Sequence, residues 1–254
     1  MTLLSVVRDV CAVVGVQQPT SVTTNLVANR TMQEMLALAN EMAQRISYDT
    51  RDWTIFRKTT KMVGGSGLTI DPLDPAQVGC SVYAIPANYK RMLLTANVWR
   101  STATLYPMVF VPDTDEWINR RSRNYYDAAG EWTMMGGNML IAPALAAAVV
   151  GPPAVAATTA YYPYLEKNCV NLTSGGSGDS FMADTDSFRL DERLLKLGMI
   201  WQWKQNKGTS YAEDMGTYTD ALAVAMGHDR PAPIIVGRRP MSANVRTAYP
   251  WPTP

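Results

Sequence analysis

The spacing of apolar residues changes twice along this 254-residue chain, and these changes constrain the fold more than any other feature. Near both ends, apolar residues recur every three or four positions, as on one face of an α-helix. The middle instead contains short runs rich in β-branched and aromatic residues. The sequence therefore predicts an α+β fold, in which a helical bundle from both chain ends carries an inserted antiparallel β-domain.

Two helices are predicted in the N-terminal part. The first has a glycine stop at Gly15 and an apolar face made of Leu4, Val7, Val10, Cys11 and Val14. The second is predicted to begin with a capping box, in which Glu34 follows Thr31, and to end near Asp49. Its apolar face consists of Met35, Leu36, Ala39, Met42, Ala43 and Ile46.

The middle of the chain alternates short β-type runs with turn clusters rich in Gly, Asp and Pro. The predicted strands are residues 54–62, 81–85, 92–99, 132–135, 139–142 and 155–162. One helix is predicted among them, beginning at Asp113 with Glu116 as a second capping box. It would place Trp117, Arg121 and Tyr125 along one side.

An almost wholly apolar stretch, residues 139–157, has the length of a membrane span. Pro143, Gly151 and the two prolines that follow would break a helix there, and Gly136-Gly137 before it is typical of a hairpin turn. We therefore expect buried strands in this stretch and no membrane partner.

Helical spacing returns near the C-terminus. One predicted helix ends at Gly208 and has an apolar stripe of Leu190, Leu194, Leu197, Gly198 and Trp201. Ser210 and Glu213 form a third capping box, and the helix after it is lined by Tyr211, Met215, Tyr218, Leu222 and Met226. The short loop predicts an antiparallel hairpin. The domain prediction is a bundle from 1–52 and 183–230, a β-rich insertion at 53–182 and an arm at 231–254.

The last segment, residues 231–254, contains six prolines, three arginines and no acidic residue. Such a composition predicts an extended C-terminal arm, because proline excludes a helix. An arm without a core of its own can bind a partner through apolar and charged anchors. The candidate anchors are Ile234, Ile235, Val236, Arg238, Arg239, Arg246, Tyr249 and Trp251.

The sequence offers little for catalysis or for metal binding. Its net charge of +1 at pH 7 creates no global attraction to nucleic acid or membranes. Cys11, Cys80 and Cys169 lie far apart, which predicts free thiols rather than disulfides or a zinc site. His228 is expected to interact with the end of the last helix. We predict no catalytic residue, no cofactor and no metal.

Two Asp-Thr-Asp motifs, at 113–115 and 184–186, are similar to fragments of calcium loops. Neither continues to the glycine and distal glutamate that such a loop requires, so capping or surface roles are predicted. The best basic cluster is Arg120, Arg121 and Arg123, a candidate contact with DNA phosphates or with another subunit. Trp203 is expected to face outward, since it lies about 200° around the helix from Trp201, and is a candidate for a subunit interface.

Over most of residues 1–230 the sequence resembles the phage head-to-tail adaptor (connector) family, typified by the podovirus tail-accessory and tail-tubular A proteins. The run LLSVVRDVC and the GVQQP turn after it are similar to the first helix of that family. Further similar segments are 52–53, 83–89, 112–117, 181–186, 190–207 and 211–214. These are packing and turn motifs, and none is a catalytic signature. The chain departs from the short members of the family in its tail after Arg230.

The resemblance implies a structural protein of the virion, a dodecameric ring beneath the portal at the head-tail junction. The implied partners are other copies of the chain, the portal protein, a downstream tail or nozzle protein, and DNA contacted without sequence specificity in the channel. The helical bundle and arm would hold the portal, and the β-domain would point toward the tail. Assembly would take place in the host cytoplasm, where free thiols persist.

Three alternatives remain open from the sequence. The chain could be another tail ring, tail-tube or tail-completion subunit, although a tube subunit would be mostly β. It could be an enzyme, a virion-associated cell-wall hydrolase, because paired carboxylates need only spatial proximity. A DNA-binding module is disfavoured by the near-zero net charge.

Overall fold

The computed structural model describes residues 2–24, 29–71, 73–93, 96–101 and 106–229. These residues form a mixed α+β fold with several antiparallel sheets, which confirms the fold class at that level. The helices are α1 (Leu3–Val14), α2 (Arg30–Gln44), α3 (Thr114–Ser122), α4 (Glu192–Asn206) and α5 (Ala212–Asp229). The strands are β1 (Arg57–Val63), β2 (Ser81–Ala84), β3 (Tyr89–Met92), β4 (Trp99–Arg100), β5 (Val109–Phe110), β6 (Glu131–Met135), β7 (Asn138–Ala142), β8 (Thr159–Glu166), β9 (Val170–Asn171), β10 (Ser177–Gly178) and β11 (Ser187–Phe188).

The first two helices begin and end for local reasons. Thr2 caps α1, and Gly15 ends it in the left-handed conformation at a φ of 74°. The capping box predicted at Thr31 is wrong, because Asn29 caps α2 two residues earlier by accepting the N–H of Thr31. A wide helical turn, Arg45–Asp49, extends α2 to the predicted end.

Helix α4 lies at the centre of the helical part, where α1, α2 and α5 all pack against it. Gly198 allows the closest approach, because a Cβ atom there would lie 2.5 Å from Cε of Met42 and 3.4 Å from a ring carbon of Tyr218. The buried residues of these helices join Leu165, Cys169 and other residues from the end of β8 and the loop after it in one hydrophobic core.

Two four-stranded sheets occupy the middle of the chain. In one, β8 lies between β1 and β3, and β4 pairs with β8 as well. The other has the order β2-β7-β6-β5, in which only the β5–β6 pairing is parallel. A small third sheet has the order β10-β9-β11. The predicted turn at Gly136-Gly137 is confirmed, with φ values of 58° and 77°.

Three predicted strands have wrong limits. Residues 54–56 form a short 3-10 helix before β1. The predicted strand at 92–99 is wrong, since β3 ends at Met92 and β4 begins only at Trp99. In place of the strand predicted at 155–162, β8 begins four residues later, at Thr159. Two of the three predicted runs extend beyond the paired backbone and the third is displaced along the chain, so composition locates strands only approximately.

Ion pairs connect the helical part to β8 and β3. Glu166, at the end of β8, accepts hydrogen bonds from Arg189 at 2.7 Å and from Asn88 at 2.8 Å. Arg91 of β3 pairs with Asp52, which follows the helical N-terminal segment. Burial would raise the pKa of Glu166, but the hydrogen bonds from Arg189 and Asn88 outweigh burial and hold it below its usual value.

Candidate functional site: interaction surfaces

The arginines of α3 form a buried ion cluster around Glu131. Glu131 and Arg121 are buried, and their side chains form a salt bridge. Arg120 donates to the same carboxylate at 2.6 Å and also pairs with Glu116. The guanidinium of Arg121 stacks over the ring of Trp117, with 4.5 Å between its carbon and the ring centroid. Asp113 caps α3 as predicted, whereas the side chain of Glu116 forms an ion pair with Arg120.

This arrangement corrects the role predicted for the cluster. Arg121 is 2% exposed and cannot reach DNA or another subunit without unfolding its surroundings. Arg120 is partly exposed, but both of its ion pairs engage it within the same subunit. Arg123 is exposed and keeps the predicted role as a candidate contact. The sequence alone could not show which of the three arginines is buried, because their burial depends on ion pairs with Glu131, which lies on β6.

Trp203 does not face outward, contrary to the prediction. Its side chain is 7% exposed and belongs to the helical core, with Nζ of Lys207 4.6 Å from its ring centroid. The helical angle from Trp201 was correct, but α4 is packed on more than one side, so both tryptophans are buried. Trp203 is consequently withdrawn as a candidate for a subunit interface.

The aspartates of the second Asp-Thr-Asp motif bind backbone amides. Asp184 accepts the N–H groups of Val22 and Thr23, at 3.0 and 2.9 Å. Asp186 is 1% exposed and accepts amides from both sides of its loop. Burial would raise the pKa of Asp186, but these amide hydrogen bonds lower it overall. The predicted capping role is confirmed for the first motif through Asp113, whereas the aspartates of the second motif connect loop backbones and cap no helix.

The end of α5 is fixed to the entrance of β1. Asp229 accepts the amide of Thr54 at 3.2 Å and pairs with Arg51 at 3.4 Å. Beside it, His228 lies exposed in the last turn of α5, as predicted. A groove of about 730 Å³ runs between α5 and the start of α4, lined by apolar residues that include Leu194 and by polar and charged residues that include Asp191 and His228. The candidate arm anchors, from Ile234 to Trp251, lie outside the described residues.

Residues 144–157, here called the apolar loop, connect β7 to β8 and contradict the expectation of buried strands. They contain only Ala, Val, Leu, Gly and Pro. Apart from the Val149–Val155 bridge, they form no strand. Val150 is 99% exposed, and Val149 and Val155 are more than half exposed. A large apolar surface of this kind on a folded chain usually marks an interaction site.

The base of the apolar loop is firmly attached. The amide of Gly64 donates to the carbonyl of Thr158 at 2.8 Å, and the amide of Thr158 donates to Ala146 at 2.9 Å. Arg100 donates to the carbonyl of Ala144 at 3.1 Å. The loop therefore projects from a fixed base, and the Val149–Val155 bridge joins its two sides near the tip.

A second apolar surface lies beside β6, two residues of which line it. A pocket of about 320 Å³, here called the socket, is lined by Met92, Leu93, Met108, Phe110, Trp132 and Met134, together with Ala96 and Asn97. Phe110 stands at its mouth, 50% exposed, with its ring centroid 4.4 Å from that of Trp132. Among the described residues, no charged side chain lines it. No sequence signal predicted the socket, because its walls come from three separate stretches of the chain, 92–97, 108–110 and 132–134.

Within the part of the chain that the structure describes, no helix combines the length and apolar character needed to cross a bilayer. The same residues contain no cluster of three or more His, Cys, Asp or Glu side chains placed to hold a metal ion. No protein-family model matches the chain. No curated protein is significantly similar to it.

Proposed function

We propose that this chain is a structural assembly subunit of a tailed bacteriophage, a head-to-tail adaptor that joins the portal to the tail, and that it is not an enzyme. The observation that carries the proposal is the pair of uncharged apolar surfaces on its β-rich part. A chain with +1 net charge that exposes Val150 and Phe110 in this way gains stability when other protein surfaces cover them.

The arrangement of the helices supports the same proposal. In an adaptor, a helical bundle from both chain ends would hold the portal, and the inserted β-domain would face the tail. Here α1 and α2 from the N-terminal part and α5 from the C-terminal part pack on α4, while the sheets lie between them in sequence. This layout is the one implied by the resemblance to the adaptor family.

The arm at residues 231–254 would provide the contact with the portal. The last described residue before it, Asp229, is tied to Thr54 and Arg51, so the helix that leads to the arm is anchored on the subunit. Its prolines reduce the backbone entropy lost on binding, and its arginines can pair with portal carboxylates. Repeated around a ring, twelve in the family, even a weak arm contact becomes durable through effective concentration.

Contact with DNA would be local and independent of sequence. Arg123 is the exposed member of the arginine cluster, and a ring would repeat it around the channel. Because the net charge is close to zero, such contacts add little affinity and suit a channel through which DNA must pass. The subunit would act in the virion at the head-tail junction, after assembly in the host cytoplasm.

Co-expression with the portal protein of the same phage tests this proposal. Electron microscopy should show portal rings decorated by the full chain, and a chain ending at Arg230 should lose that decoration while keeping its far-UV circular dichroism. Decoration that is unchanged by the truncation would contradict the role of the arm. Clearing of a peptidoglycan gel by the purified protein would favour the hydrolase instead, and a mainly β tube assembled without portal would favour a tail-tube subunit.

A further inference from the structure

We propose that the apolar loop of one subunit inserts into the socket of the next copy of the same chain, forming the lateral contact of the ring. This inference rests on the proposed function, because a ring requires repeated contacts between subunits. It identifies the two surfaces that would make those contacts. Both are accessible in the single chain, since Val150 is 99% exposed and Phe110 is 50% exposed.

The two surfaces are complementary in chemistry. The apolar loop presents small side chains with no hydrogen-bonding groups, and the socket is bordered by Met side chains and by the rings of Phe110 and Trp132. Methionine adapts its shape to whatever fills a gap, and aromatic rings supply much of the binding energy at protein interfaces. Since neither surface carries a charged side chain among the described residues, association would leave no buried ion unpaired.

The symmetry of a ring favours a loop-to-socket contact over a loop-to-loop contact. A cyclic assembly larger than a dimer is built from heterologous interfaces, in which two different surfaces of the chain meet. The loop and the socket share no residue, so each subunit can give its loop to one neighbour and receive a loop from the other. A contact between two loops would instead close a dimer and leave the socket open.

The composition of the loop also argues against a lipid surface as its partner. Segments that lie in the membrane interface use Trp, Phe and Leu with Lys or Arg beside them. The tip of the apolar loop has only Val, Ala, Gly and Pro. Small residues allow a second polypeptide to approach closely, and the fixed base at Gly64 and Arg100 reduces the entropy lost on docking.

Site-directed cross-linking tests the contact. Val150→Cys places a thiol on the loop tip, and Asn97→Cys places one at the rim of the socket without removing an apolar wall residue. The three native cysteines are buried, so a short bismaleimide at pH 7 should react with the introduced thiols. Mixing the two single variants should give a covalent dimer, whereas the double variant should give a ladder of higher multimers.

Each single variant treated alone should remain uncross-linked. Self-cross-linking of Val150→Cys would show that loop meets loop and would overturn the proposal, as would the absence of product in the mixture at high protein concentration. Flotation of the wild-type chain with anionic vesicles, without cross-linking, would assign the loop to lipid instead. The yield should persist in 1 M NaCl, because screening weakens charged contacts and leaves apolar ones intact.

A polar variant separates this inference from the proposed function. Changing Val149 and Val150 to Ser should weaken self-association about tenfold for each valine, since each loses the burial of an apolar side chain. Met182→Ser, at a residue 74% exposed elsewhere on the chain, is the matched control and should change nothing. If the double Ser variant still self-associates normally while wild type decorates portal rings, this inference fails and the adaptor function stands. If the cross-links form but portal is never decorated, the adaptor function fails and the contact stands.

Discussion

Replacing Glu131 by Ala is expected to destabilise the fold more than any other single charge removal in the β-rich part. Glu131 and Arg121 have fully buried side chains, so the variant leaves a guanidinium in the interior without its carboxylate. Removing one partner of a buried ion pair typically costs about 3–5 kcal/mol, because the remaining charge keeps its desolvation penalty. The stacked rings of Trp117 and Tyr126 soften that penalty without replacing the carboxylate.

Urea unfolding followed by tryptophan fluorescence would measure the change in the free energy of unfolding. Glu116→Ala is the matched control, since it removes the other partner of Arg120 at a side chain 46% exposed and should cost at most about 1 kcal/mol. The double change Arg121→Met with Glu131→Leu should recover most of the stability lost by Glu131→Ala, because it removes both charges. If Glu131→Ala costs no more than Glu116→Ala, the buried ion cluster does not stabilise the fold more than an exposed ion pair does.

Three further predictions concern the loop, acid stability and the thiols. Gly64→Ala should destabilise the chain by about 1–3 kcal/mol in the same urea assay, because its Cβ would lie 2.0 Å from the carbonyl oxygen of Ala146. Gly216→Ala has open space and should stabilise by about 0.5–1 kcal/mol, so equal effects of the two changes would contradict this reasoning. Because the pKa of Asp186 is lowered in the folded chain, its carboxylate stabilises the fold at pH values above the pKa of about 3.9 that it has in the unfolded chain. This stabilisation is lost as the pH falls through the pKa of the folded state. The melting temperature should therefore decrease as the pH is lowered below about 4, and Asp186→Asn should make this decrease smaller. If the variant shows the same dependence of melting temperature on pH as the wild type, Asp186 is not the group responsible. Burial raises the pKa of the Cys80 thiol to about 11, so a disulfide reagent at pH 8 should label it only in denaturant, and rapid labelling of the native chain would show that the site opens.

Local sequence determined where most helices begin and end. The apolar spacing of α1 and the stop at Gly15 depend on residues within a few positions of one another, and the structure has both. The turn at Gly136-Gly137 follows from equally local information, and the free thiols follow from the wide spacing of the three cysteines in the sequence. Mixed α+β organisation was predictable for the same reason, because hydrophobic periodicity of 3.6 or 2 residues is a property of short segments.

Burial was decided only by tertiary structure. Trp203 is covered because α4 has neighbours on more than one side, whereas one helical stripe in the sequence predicts one buried side. Arg121 is buried because Glu131, ten positions away on β6, neutralises its charge in the interior. The apolar loop shows the opposite case, in which residues with the composition of a core are exposed among the described residues. Hydropathy measures the tendency to leave water, and only the packed fold determines whether the same chain provides the cover.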